Sequence, residues 1–240
     1  MSHTLFISDL HLSQKKKTVT KSFFKFLKKI TKNCDALYIL GDLFEIWIGE
    51  DYSSILYKKV TIFLSLLTFP VYFIHGNKDF LINETYANKS NMIILPEKKI
   101  LFCYGYKILI THGDIFCTKD FKYQQLKKIL QKKFLKNIFL LLPLFIRKKI
   151  GAYIQNKSKK INKYFRTDTN IDEKKVFEIM NEEDVQILIH GHTHKSGIHK
   201  SKGSKKSYKR IVLSKWKKNK GSYVRVDENG INLCFLNFDN

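Results

Sequence analysis

Seven side chains in this 240-residue sequence are of types that hold divalent cations and stand where apolar runs end: Asp9, His11, Asp42, Asn77, His112, His192 and His194. The last two belong to "VQILIHGHTHKSG" (185–197), where an apolar run gives way to His190, His192 and His194 at alternate positions. Residues i and i+2 of an extended chain point to the same side, so at least two of these imidazoles can converge on one point. Every one of the seven donors is an oxygen or an imidazole and none is a thiolate. That mixture suits manganese, with zinc, iron and magnesium less excluded than copper(I). Taken singly, a strand-end histidine is usually hydrogen-bonded support and a strand-end aspartate a helix N-cap. Five separate runs that each end in a ligand type call for a common cause, and seven donors exceed what one ion takes. If Asp42 bridges, the set divides into Asp9, His11, Asp42 and His194 on one ion and Asp42, Asn77, His112 and His192 on the other, with room for a shared hydroxide.

The runs that must position these donors are "TLFISDLHL" (4–12), "ALYILGDLFE" (36–45), "PVYFIHGNKD" (70–79), "KILITHGD" (107–114) and "VQILIHGHTH" (185–194). Each is a short apolar strand that delivers polar residues at its C-terminal end. Between the first two, "KSFFKFLKKITK" places Phe23, Phe26 or Leu27, and Ile30 at helical spacing, and residues 53–68 read similarly. This alternation predicts an α/β fold, a sheet covered on both faces with the site at the strand ends. Residues 119–166 carry no strand signal, but Phe121, Leu126, Ile129, Leu130, Phe134 and Ile138 keep helical spacing, so a helical cap inserted into a single domain (1–240) is expected. "KSKGSKKSYKR" (200–210) reads as an exposed basic loop, and "RIVLS", "SYVRV" and "INLCFL" as strands completing a second sheet.

The ordered motifs "DLH" (9–11), "GDLFE" (41–45), "GNKD" (76–79), "HGD" (112–114) and "GHTH" (191–194) resemble those of the calcineurin-like metallophosphoesterases. The resemblance implies an α/β sandwich of two mixed β-sheets flanked by helices and a dinuclear site divided as above. It also implies in-line attack of a metal-activated hydroxide on phosphorus, catalytic roles for Asp42, Asn77, His112 and His192, and support of the ligands by His190. One departure bears on the substrate. Many members carry histidine after the asparagine, where it protonates an alkoxide leaving group, whereas this chain has Lys78. Lysine grips phosphate but is a poor proton donor near neutral pH. A pyrophosphate needs no such donor, because its leaving group is a phosphate with a second pKa of about 6.

"CDALYILGDLFEIWIGEDY" (34–52), "HGNKDFLI" (75–82), "HGDIFCTKD" (112–120), "LPLFIRKKIGA" (142–152) and "IHGHTHKSGIH" (189–199) are similar to the UDP-2,3-diacylglucosamine diphosphatases of lipid A biosynthesis. That narrower resemblance implies attack at the α-phosphorus of UDP-2,3-diacylglucosamine, giving UMP and 2,3-diacylglucosamine 1-phosphate. It further implies two Mn2+ ions per chain and a place at the cytoplasmic face of the inner membrane. Another calcineurin-like phosphodiesterase or a nuclease would share the seven ligands and is the alternative reading. Substrate contacts carried over by motif are Asn77, Lys78, Asp120, Ser158, Asn162 and His192, while a further lysine expected near Lys163 to Arg166 does not align. The cap, with Phe134, Leu135, Phe139, Leu140 and Leu141, then has two acyl chains to line, and Arg147 to Lys149 are expected to face anionic lipid.

Composition removes other classes. At 44% hydrophobic and 14% aromatic residues the chain is not disordered, and its longest apolar run, "IFLLLPLFI" (138–146), is broken by Pro143 and falls short of the roughly 20 residues a membrane span requires. A buried helix or an interfacial segment is expected there. A cleaved leader is not expected, because "HTLFISDLHL" carries Asp9 and His11. Cys34, Cys103, Cys117 and Cys234 form no CxxC pair and read as reduced cytosolic thiols. The net charge of +23 attracts polyanions, yet only four of the 44 basic residues are arginine (Arg147, Arg166, Arg210, Arg225), as an AT-rich genome would write exposed positions. Neither a specific nucleic-acid target nor an obligate protein partner is expected.

Overall fold

Leu5 and Ile7 of β1 (His3–Ile7) face one way and Phe6 the other, and the chain is layered about that alternation. The computed structural model describes residues 1–52, 54–117, 133–153, 171–202 and 207–238. β2 (Cys34–Leu40), β3 (Val71–Ile74) and β4 (Met92–Leu95) follow β1 in parallel. β10 (Lys220–Asp227) and β11 (Gly230–Asn237) add an antiparallel hairpin on the other edge of β1, giving the order β11-β10-β1-β2-β3-β4. The second sheet holds β5 (Lys98–Cys103), β6 (Tyr106–Thr111), β7 (Ile187–His190), β8 (Gly197–Lys202) and β9 (Ser207–Val212) in the order β5-β6-β7-β9-β8. Its three central strands are parallel and both edges antiparallel.

Phe6, Leu40 and Ile74 meet Ile108, Ile110, Ile189 and Ile211 between the sheets. The alternate residues Leu5, Ile7, Leu37, Ile39 and Phe73 belong to a second core that includes Phe23 and Phe26 of α1 (Lys17–Lys29) and Val60 and Leu64 of α2 (Ile55–Ser65). A short α3 (Glu84–Lys89) adds Tyr86 and Ala87 to it. Of the expected cap, the described residues form α4 (Lys133–Leu141) and α5 (144–153) on either side of Pro143, while Phe121, Leu126, Ile129 and Leu130 lie outside the described residues. α6 (Glu173–Glu182) packs Val176, Ile179 and Met180 on Leu109 and Leu188 of the second sheet.

Each sheet is covered on both faces, by helices outside and by the opposite sheet inside, as the sandwich reading expects. Two expectations need correction. "SYVRV" and "INLCFL" extend the first sheet rather than the second, since β10 pairs with the free edge of β1 (Thr4 opposite Val226) and sends Val224 and Val226 into the layer between sheets. An alternating pattern defines a strand but not the edge it joins. Residues 200–202 and 207–210 are strand rather than loop, and lysines on the edge strand β8 deter pairing with another chain.

Arg147 also departs from expectation. Instead of facing lipid it is 4% exposed, donating through Nε to Leu142 O (2.8 Å) and through one NH2 group to Ile48 O (2.6 Å) and Asp51 Oδ1 (2.8 Å). Gly49 (φ 125°) lies against the guanidinium so closely that a Cβ would strike it. The arginine therefore ties the cap to the 46–51 loop, while Lys148 and Lys149 stay exposed. Arg147→Met strips two carbonyls of their donor and should cost about 2–4 kcal/mol in urea unfolding, against within about 0.5 kcal/mol for Lys149→Met.

Candidate metal centre

Asp9, His11, Asp42, Asn77, His112, His192 and His194 all follow within four residues of the last residue of β1, β2, β3, β6 or β7. Parallel neighbours end at the same rim, so five loops gather there. Asp9 (φ 56°), His11 (48°), Asp42 (55°), His192 (67°) and His194 (60°) occupy the left-handed region, which costs an L-residue about 1–2 kcal/mol each. Loop-to-loop bonds hold them there: Asp9 N to Gly41 O (3.1 Å), His11 N to Asp42 O (2.9 Å) and Gly191 N to His112 O (2.9 Å). Strain gathered on one ligand set and fixed by its surroundings marks a functional site. The loops approach so closely that a Cβ on Gly76 would strike Asp42, and one on Gly191 would strike Ser8 and Asp9.

His11 Nε2 lies 3.7 Å from Asp9 Oδ1 and 3.5 Å from Asp42 Oδ2, and His194 Nε2 lies 3.1 Å from the same Asp9 oxygen. On the other side His112 Nε2 is 3.9 Å from Asp42 Oδ1 and 3.2 Å from His192 Nδ1. Asp42 thus presents one oxygen to each half. The Asn77 amide sits 2.9 and 2.8 Å from the two Asp42 oxygens, with its nitrogen donating to both. Turned over, it offers its carbonyl oxygen at the same place, the orientation a cation held with Asp42 requires. His11 is 2% exposed and neither ring nitrogen has a hydrogen-bond partner among the described residues. A buried imidazole left unpaired beside two carboxylates fits a cation ligand. His112 Nδ1–H donates to Leu40 O (2.8 Å), which leaves Nε2 to face Asp42. The residues present therefore fit a divalent metal.

Burial would raise the Asp9 carboxyl, but the His194 hydrogen bond and the charge on His112 hold it well below the usual carboxylate range. Burial pushes Asp42 up against the pull of His112 and Lys78. His11 is driven well down by burial and by Lys215. Burial and the neighbouring His112 bring His192 down to about 4; burial opposes charge on His112 too, but Asp42, Asp9 and Asp114 raise it to about 9. Free of metal, His112 therefore carries a proton on Nε2 and donates it to neutral His192 Nδ1. A ligand nitrogen must be unprotonated, so metal binding expels that proton and affinity rises with pH up to about 9. Calorimetry at pH 7 in buffers of different ionisation enthalpy should register net proton release on metal binding; zero release would contradict this assignment.

Asp79 was not assigned a role from sequence, though its place two residues after Asn77 was a signal. It accepts from Gly76 N (2.9 Å), Asp42 N (3.3 Å) and Leu43 N (2.7 Å), pinning the loop that carries Asp42, and burial with the Asp42 charge pushes it up to about 7. Ser8, whose Oγ is 2.8 Å from both Asp9 Oδ2 and Leu40 O, carried no signal. His190 stands outside the ligand group, with Nδ1–H donating to Gly191 O (2.8 Å) and Nε2 3.5 Å from Arg210. Among expected substrate contacts, Asn77, Lys78 and His192 are at this rim, with Lys78 N donating to Asp42 Oδ1 (2.9 Å). Asp120, Ser158 and Asn162 lie outside the described residues.

Residues 2–196 match the profile of the calcineurin-like phosphoesterase family. A "UDP-2,3-diacylglucosamine hydrolase" of Psychromonas ingrahamii is 43% identical over 99% of both chains. Proteins of the same name from Hamiltonella defensa (42% identical, 98% of this chain and 96% of that one) and Escherichia coli (40%, 98% and 99%) are similarly related. Among solved structures, a novel archaeal phosphodiesterase superimposes with a TM-score of 0.51 at 12% identity, covering 98% of this chain and 99% of that one, a likeness of fold.

Proposed function

Because the chain belongs to the calcineurin-like phosphoesterase family and, within it, to the UDP-2,3-diacylglucosamine hydrolases, we propose that it hydrolyses the pyrophosphate bond of UDP-2,3-diacylglucosamine to UMP and 2,3-diacylglucosamine 1-phosphate. The observation that carries this is the length of the match: identity of 43% runs over 99% of both chains, well beyond the ligand loops alone.

Two Mn2+ ions would serve as cofactor, Asp9, His11, Asp42 and His194 being the residues that would hold one and Asp42, Asn77, His112 and His192 those that would hold the other. Such ions supply positive charge to the pyrophosphate oxygens and make a bound water more acidic. The protein's own groups do the rest. Asp42 joins the halves, Asp79 and Ser8 hold Asp42 and Asp9 in place, and Lys78 grips the phosphate under attack. The leaving group is a phosphate, so it departs without a strong acid beside it. Asp120, Ser158 and Asn162 are the remaining substrate contacts by family pattern.

The enzyme meets its lipid at an anionic membrane surface, the cytoplasmic face of the inner membrane. Phe134 (73% exposed), Ile138, Leu141 (84%) and Phe145 leave an apolar stripe on the cap, with Lys148 and Lys149 exposed beside it, which supports interfacial contact. No helix among the described residues is long and apolar enough to cross a membrane. Incubation with UDP-2,3-diacylglucosamine and Mn2+ should yield UMP, and release of UDP, or no reaction, would contradict the reading.

A further inference from the structure

The segment 213–216 runs beside the ligand loops, held by two backbone bonds, Leu213 N to His190 O (2.8 Å) and Trp216 N to Asp9 O (3.1 Å). Lys215 lies between those anchors. It is half-buried, and among the described residues it makes no hydrogen bond or ion pair. The nearby carboxylate of Glu45 is already taken by Lys16, and the 44–45 chain carrying it is tied back to Leu12 beside His11. The charge of Lys215 is felt at His11 more strongly than that of Asp9, whose oxygen is 3.7 Å from the ring. Lys215 in turn senses Lys16, Glu45, Asp9 and Asp42, and burial lowers it.

A half-buried ammonium with no carboxylate of its own, beside a second lysine, is uncomfortable. It also repels cations from the ligand set it overlooks. Both costs are removed if an anion sits between Lys215 and the ligands. Lys78 stands on the loop after β3, where its backbone N donates to Asp42 Oδ1 (2.9 Å).

We propose that Lys215 is a substrate-binding residue that grips a phosphoryl group of the pyrophosphate from the His11 side, adding a second cation to that of Lys78. This rests on the substrate reading above. An ammonium–phosphate contact is charge-assisted and lost wholly on neutralisation.

The test compares wild type, Lys215→Met and Lys215→Arg with UDP-2,3-diacylglucosamine, alongside metal content and thermal unfolding of each. Lys215→Met should raise KM about tenfold or more with kcat within about twofold, and Lys215→Arg should recover most of the wild-type KM. At saturating Mn2+ the metal content should be the same in all three. A KM unchanged in Lys215→Met overturns the proposal, as does a KM that moves only together with metal content, since Lys215 would then be acting on the ligands. Failure of the wild type itself to release UMP overturns it too and is told apart because the unsubstituted enzyme is silent.

Discussion

Asp42→Ala should empty both halves of the site at once and abolish turnover. Asp42 has an oxygen toward each half, Oδ2 at 3.5 Å from His11 and Oδ1 at 3.9 Å from His112, and Asp9 groups both with His11 and His194 and with Asp42 and His112. Its removal also frees the Asn77 amide and the Lys78 backbone, which both bond it. The loss should reach about 10^4-fold or more in kcat/KM, roughly 5.5 kcal/mol at 1.36 kcal/mol per decade. His194→Ala is the control. That ring is 35% exposed and touches only Asp9 among the acidic groups, so one ion should remain. Metal analysis that finds one ion left in Asp42→Ala would break the bridging role.

The second large effect belongs to Lys78. Lys78→Ala removes a charge-assisted contact to the reacting phosphate and should cost about 2–4 kcal/mol in kcat/KM, by analogy with loss of one transition-state donor. Lys78→Arg should retain much of the activity, because a guanidinium makes the same contact with two donors. Lys78→His separates gripping from proton donation: it should improve cleavage of a simple phosphodiester with a poor alcohol leaving group while the pyrophosphate reaction stays impaired. A leaving-group series decides the matter. Wild-type cleavage of high-pKa alcohol esters as readily as pyrophosphates would refute the account of Lys78.

The ligand loops were legible because strand ends advertise themselves: an apolar run of four to seven residues stops and Asp, Asn or His follows, as at Ile39–Leu40–Gly41–Asp42. Edge strands were not. Met92–Leu95 and Lys98–Cys103 were passed over, the second because exposed Lys98, Lys99 and Phe102 blur its period, and β10 and β11 were read as strands of the wrong sheet. Pairing partners are chosen by long-range packing, which a local pattern does not encode. Arg147 failed for a related reason. In "RKK" three cations look alike, and only the fold shows that the first meets the carbonyls of Leu142 and Ile48. Ser8 was invisible because its role is positional, set by the carbonyl of Leu40 far along the chain.

The central claim is that water attacks the α-phosphorus of the pyrophosphate at this cluster, and hydrolysis in 18O-labelled water tests it most directly. Mass spectrometry of the products from UDP-2,3-diacylglucosamine should find the label in the phosphate of UMP and none in 2,3-diacylglucosamine 1-phosphate. Label in the lipid phosphate instead would contradict the account.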